Sequence, residues 1–143
     1  MTTLISRFES LFRPLDRLRP AADPLLRLGV GLLLMPHGAQ KLFGLFGGYG
    51  IAGTGQYLES IGFAPGDLFA LGLGLLEFVG GAMIALGLLV RPVALAVAGF
   101  MAVAIVIHWP NGYFWNADGG GWEMPLLWGI AALIVAIRAG RTA

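Results

Sequence analysis

Four stretches of this chain are apolar over lengths close to a bilayer thickness, and polar residues interrupt them at few positions. A transmembrane helix takes about 20 mostly apolar residues. The stretches 24–43, 68–90, 92–109 and 122–138 therefore predict four helical spans. The second and third are the most continuous. The first carries His37, Gln40 and Lys41 in its last third, and the fourth is short and begins beside Glu123. Arg91 alone separates Val90 from Pro92, which predicts a tight hairpin around Arg91, with Pro92 in the first turn of the third span where no amide donor is needed. Asp23 and Pro24 predict the cap and start of the first span.

Ahead of that span, Leu4, Phe8, Leu11, Leu15 and Leu18 recur at helical spacing, with Ile5 and Phe12 beside them. This spacing predicts an amphipathic helix lying in the membrane interface; the competing expectation is a poorly ordered basic tail. Four arginines and no continuous apolar core set these first 20 residues apart from a secretory signal. The expected organisation is a basic amphipathic segment over 1–22 and a four-helix transmembrane domain over 23–143. Ala94, Ala98 and Ala102 on the third span, and Gly81 and Ala85 on the second, are small residues four apart and predict close helix approach.

Composition agrees with an all-α integral membrane protein. The chain is 57% hydrophobic and 12% charged, with mean hydropathy +0.80. A soluble domain carries about 25% charged residues. A soluble globule and a disordered chain are both set aside. The net charge of +1 gives no reason to expect nucleic acid as a partner; the lipid bilayer is the expected one. The chain has no cysteine, which excludes disulfides, thiol relays, thiolate metal sites and iron–sulfur ligation within it.

Charge also sets the expected direction. With the N-terminus in the cytoplasm, Arg7, Arg13, Arg17, Arg19, Arg27, Arg91, Arg138 and Arg141 lie inside and only Lys41 outside. This is the positive-inside pattern, and it predicts that both termini are cytoplasmic.

Ionisable residues within apolar helices are costly, so each asks for a partner or a task. Glu77 has apolar sequence on both sides and lies ten residues beyond Asp67, about 15 Å into the second span. His37, Gln40 and Lys41 lie toward the outer end of the first span, His108 toward that of the third, and Glu123 opens the fourth. His37 and Lys41, four apart, share a helix face. Two expectations compete. Glu77 pairs with Lys41 or a histidine and pins the helices, or the six residues line a pocket for a polar head group. The glycine-rich segment 44–66, with Phe46, Tyr49 and Tyr57, is a candidate cover for that pocket. Trp109, Tyr113, Phe114, Trp115 and Trp122 predict an aromatic belt at the outer surface.

Three segments together resemble one family. They are Met-Pro-His-Gly-Ala-Gln-Lys-Leu-Phe at 35–43, Glu-Phe-Val-Gly-Gly from Glu77 on to Leu86-Gly-Leu, and His108-Trp-Pro-Asn-Gly-Tyr-Phe followed by Gly-Trp-Glu123. In this order they resemble the DoxX family of small bacterial and archaeal four-span membrane proteins, over about 24–138. The resemblance implies a multi-pass protein of the cytoplasmic (inner) membrane. A relative, DoxD, is a subunit of a thiosulfate:quinone oxidoreductase, and others are tied to oxidative stress or to membrane complexes with redox enzymes. The family's recurring polar positions fall on His37, Lys41, Glu77, His108 and Glu123.

The expected function is quinone or quinol interaction through the outer-half pocket formed by His37, Gln40, Lys41, Glu77, His108 and Glu123, as an oxidoreductase subunit or an associated protein. Histidine and lysine donate hydrogen bonds to quinone carbonyls, and glutamate and histidine relay protons. Electrons then come from a partner. The alternative is a non-catalytic scaffold that recruits a redox or stress-response enzyme or another membrane subunit, with a homo-oligomer also open. A haem held by His37 and His108, or a metal ion shared with Glu77 and Glu123, is a third alternative.

Overall fold

The computed structural model describes residues 2–141; Met1, Thr142 and Ala143, assigned above to the terminal segments, lie outside the described residues. Six α-helices follow one another: α1 (Thr2–Ser10), α2 (Arg19–Phe43), α3 (Gly50–Ser60), α4 (Gly66–Leu86), α5 (Val90–His108) and α6 (Glu123–Arg138). Single 3₁₀ segments at Arg13–Leu18, Trp109–Asn111 and Ala139–Arg141 join or end them, and there is no strand among the described residues.

α2, α4, α5 and α6 share one core. Val30 and Leu34 of α2, Ile84 of α4, Ala94, Val97 and Met101 of α5, and Ala132 and Val135 of α6 are all buried in it. α4 is packed most closely on α2, and α5 on α6. Glycine makes the first approach possible: a Cβ on Gly31 would lie 2.7 Å from Ala85 N, and one on Gly38 would lie 2.7 Å from Gly74 O. From the α4 side, a Cβ on Gly81 would lie 2.6 Å from Gly31 O. Backbone-to-backbone contact of this kind is how helices associate in lipid, where dispersion replaces the hydrophobic drive. The expected role of Gly81 and Ala85 is thus met, with Gly31 opposite both. The stripe expected on α5 is different. Ala102 is exposed, and the buried line runs Ala94, Val97, Met101, Ala104. Spacings of three and four follow the 3.6-residue turn, whereas steps of four alone drift off the buried face.

α4 and α5 are long and apolar enough to cross a membrane. α2 has 25 residues, about 37 Å of helix, but carries Arg19, Asp23, Arg27 and Lys41. α6 has 16 residues, about 24 Å, and reaches toward the usual 30 Å hydrocarbon thickness only with its flanking turns.

Three boundaries depart from expectation. α2 begins at Arg19 and not at Pro24, because Pro20 already occupies its first turn; Pro24 lies inside the helix, and Asp23 pairs across the fold with Arg138 of α6. The hairpin between α4 and α5 turns at Gly87–Leu89, leaving Arg91 in the first turn of α5. Gly87 adopts φ 83°, with Gly87 N donating to Ile84 O and Leu88 N to Met83 O, a glycine-terminated helix end that needs positive φ. The N-terminal segment is not one helix: α1 stops at Ser10, and a 3₁₀ turn containing Pro14 precedes α2. Leu4, Phe8, Leu11, Leu15 and Leu18 are all exposed along it.

Candidate functional site at one end of the helices

Glu77 sits near the middle of α4 and is the one buried charged residue among the described residues, 3% exposed. Lys41, two residues before the end of α2, donates from Nζ to Glu77 Oε2 at 2.7 Å. The glycine contacts fix this pairing. With Gly38 against α4, Lys41 lies about 60° around α2 from the contact line, and its long side chain reaches the carboxylate. An ion pair at this depth leaves no net charge among the apolar helices. Removing one partner strands the other, at a cost of about 3–5 kcal/mol.

Beside the pair is an open cavity of about 560 Å³. Gln40 and Lys41 of α2, Tyr49, Thr54 and Tyr57 of the α3 region, and His108 at the end of α5 line it together with Gly47, Gly48 and Gly53. Segment 44–66 therefore does cover the polar end, as a helix with a turn before it. Gly44, at φ 67°, ends α2 and sends the chain back over it. Gly48 is pressed on α2: a Cβ there would lie 2.5 Å from Gln40 Cα. Gln40 Nε2 donates to Phe46 O at 3.1 Å and holds the turn. At the other end of α3, Glu59 Oε1 accepts from Gly66 N at 2.9 Å, tying α3 to the start of α4.

His108 Nδ1 is 2.8 Å from Ala104 O. A carbonyl only accepts, so Nδ1 carries a proton in this contact and Nε2 of the neutral ring is an acceptor. The 110–121 loop folds back over the same histidine: a Cβ on Gly120 would lie 3.4 Å from its Cδ2.

Of the six residues picked from the sequence, Gln40, Lys41 and His108 line the cavity, and Glu77 joins it through Lys41. His37 and Glu123 are not among the lining residues. His37 is exposed, with its ring edge-on to Trp128 at 6.3 Å between centroids, although it is within electrostatic reach of Glu77. Glu123 Oε1 accepts from Trp115 N at 2.8 Å and fastens the loop, whose aromatic residues cluster with Trp109 and Trp122 stacked at 4.9 Å. Among the described residues, no three His, Cys, Asp or Glu side chains come together as a metal-binding group.

Tyr49 and Tyr57 lie in the segment expected to cover the pocket; Thr54 is the lining side chain not singled out above, although positions 49, 53, 54 and 57 are spaced as one face of a helix.

Two helices long and apolar enough to cross a membrane, one of them carrying buried Glu77 near its middle, point to a helical membrane protein. The DoxX family profile matches residues 22–109, more than half of the chain, and the protein belongs to the DoxX family. The match spans α2 through α5 and ends one residue beyond His108, so Glu123 lies outside it. No curated protein and no solved structure matches the chain.

Proposed function

We propose that this protein binds quinone or quinol in the α2–α3–α5 cavity and serves as a quinone-linked subunit of a membrane redox system. The observation that carries the reading is Lys41, which both neutralises buried Glu77 and lines a 560 Å³ cavity with two tyrosines and a histidine. Small-molecule sites are usually clefts of about 300–1,000 Å³ with a few placed polar groups.

The side chains fit a quinone head group chemically. The Lys41 ammonium has three N–H groups and gives one to Glu77, so it retains donors for a carbonyl. The amide of Gln40 donates to Phe46 O and keeps its oxygen as an acceptor for a hydroxyl. Tyr49 and Tyr57 supply rings and hydroxyls. When bound, the quinone supplies two-electron, two-proton redox chemistry. His108 holds its Nδ1 proton on Ala104 O and can take up or release a proton at Nε2. Glu77 orients the Lys41 ammonium. A partner redox protein supplies or removes the electrons.

The same proposal places α2, α4, α5 and α6 across the cytoplasmic membrane with both termini inside. In support, Arg27, Arg91 and Arg138 line one cleft, while Lys41 lies about 21 Å along α2 from Arg27. The exposed apolar residues of α1 and the turn after it fit an interfacial segment on the arginine side.

The test is a titration of purified protein in neutral-lipid nanodiscs with a short-chain quinone, alongside lipid extraction of mildly purified material. Saturable binding that Tyr57→Ala weakens at least tenfold is expected. Absence of both co-purified quinone and saturable binding overturns the reading and leaves the ion pair as a structural pin.

A further inference from the structure

At the opposite end of the helices a second cavity, of about 380 Å³, opens between α2, the α4–α5 turn and the end of α6. We propose that it is a binding site for a phosphoryl anion, of the kind carried by an anionic phospholipid head group. Three guanidinium groups reach it, from Arg27, Arg91 and Arg138, and Asp23 is the only carboxylate among its described lining residues. Asp23 is already engaged with Arg138 Nε. Arg91 Nε donates to Ala136 O at 3.3 Å, a neutral partner. Arg27 is different: its Nε is buried with no hydrogen-bond partner, the one such buried side-chain atom among the described residues. Buried donors are paired in the great majority of cases, so an unpaired charged one marks a missing acceptor.

The backbone leaves space for these groups. Gly87 faces Arg27, and a Cβ there would lie 3.1 Å from Nη1; Gly140 faces Arg91 so closely that a Cβ would overlap Nη2. The result is two guanidinium groups, Arg27 and Arg91, without a carboxylate partner among the described residues, beside one neutralised pair. A tetrahedral phosphate offers several acceptors to such planar donors and forms bidentate contacts with them. Basic pockets between membrane helices take lipid phosphate in this way. The apolar side chains of Leu26, Leu89 and Val135 on the same cavity suit the start of an acyl chain. A soluble phosphate offers the same acceptors, and the experiment separates the two sources.

The full chain, purified in a neutral detergent, is heated with added phosphatidylglycerol, with phosphatidylcholine, or with inorganic phosphate against chloride at equal ionic strength. Phosphatidylglycerol is expected to raise Tm by at least about 5 °C more than phosphatidylcholine does. Arg27→Gln should lose most of that difference, and Arg27→Lys, which keeps the charge without the fork, should lose part of it. Arg13→Gln/Arg17→Gln, on the exposed N-terminal turn, should keep it. A comparable rise with inorganic phosphate, abolished in Arg27→Gln, also supports the site and assigns it to the soluble source. Equal Tm in both lipids with no phosphate response in the wild type overturns the proposal. So does a phosphatidylglycerol effect that survives Arg27→Gln but disappears in the Arg13/Arg17 variant. The wild-type comparison stands even where Arg27→Gln does not fold.

Discussion

Lys41 has two tasks, and substitutions separate them. Its ammonium is the partner of the buried Glu77 carboxylate, and it also faces the cavity. Lys41→Met leaves Glu77 unpaired among apolar side chains and should cost about 3–5 kcal/mol, read from denaturation in a fixed detergent. Glu77→Leu with Lys41→Met removes both charges and should recover most of that loss. The double variant then reports on ligand binding without a folding defect: it should be stable and bind quinone at least tenfold more weakly than wild type. A stable double variant with unchanged quinone affinity would reduce the pair to packing. The mid-helix position of Glu77 was legible, because counting residues along an uninterrupted apolar run fixes it. Its partner was legible only as Lys41 or a histidine, because the helix rotation that selects Lys41 is set by tertiary contacts. His37 and Lys41 share a face at spacing four, yet His37 is turned about 100° from the Gly38 contact line and meets Trp128, whereas the longer, nearer Lys41 reaches Glu77.

At the level of elements, the rotation of α2 follows from Gly31 and Gly38, opposed on α4 by Gly81 and Gly74. Both pairs are seven apart, a spacing visible in the sequence that identifies this interface better than the alanines four apart on α5. Gly38→Ala places a methyl 2.7 Å from Gly74 O and should destabilise by about 2 kcal/mol or more. Gly29→Ala has open space around its Cβ and should be neutral or stabilising by up to about 1 kcal/mol. Paired thermal denaturation curves check the contrast; equal effects would mean that α2 is rotated differently. α3 was only partly legible. Eleven residues rich in glycine give a weak periodic signal, and its position depends on Gly48 against α2 and Glu59 on the start of α4. The apolar spacing predicts one helix across α1 and the turn after it because it passes straight through Pro14, where the structure breaks.

For the molecule as a whole, the charge distribution implies a sidedness that the cysteine-free chain makes easy to measure. Ser10→Cys and Asn116→Cys each introduce the sole thiol of the protein. An impermeant maleimide added to intact spheroplasts should label Asn116→Cys at once and Ser10→Cys only after permeabilisation. Labelling of both from outside would contradict the proposed topology. The two cavities at opposite ends have separate linings, one with Lys41, tyrosines and a histidine and one with three arginines, and the Gly31–Gly38 seam of α2 and α4 runs between them.

The most direct measurement is photolabelling in native-like lipid with a quinone that carries a photoreactive head group, mapped by mass spectrometry. Adducts should concentrate on Tyr49, Tyr57 and His108 and fall away when excess unlabelled quinone is present. Adducts spread over exposed apolar residues such as Leu75, Val79 and Val106, unchanged by competition, would contradict a head-group site in that cavity.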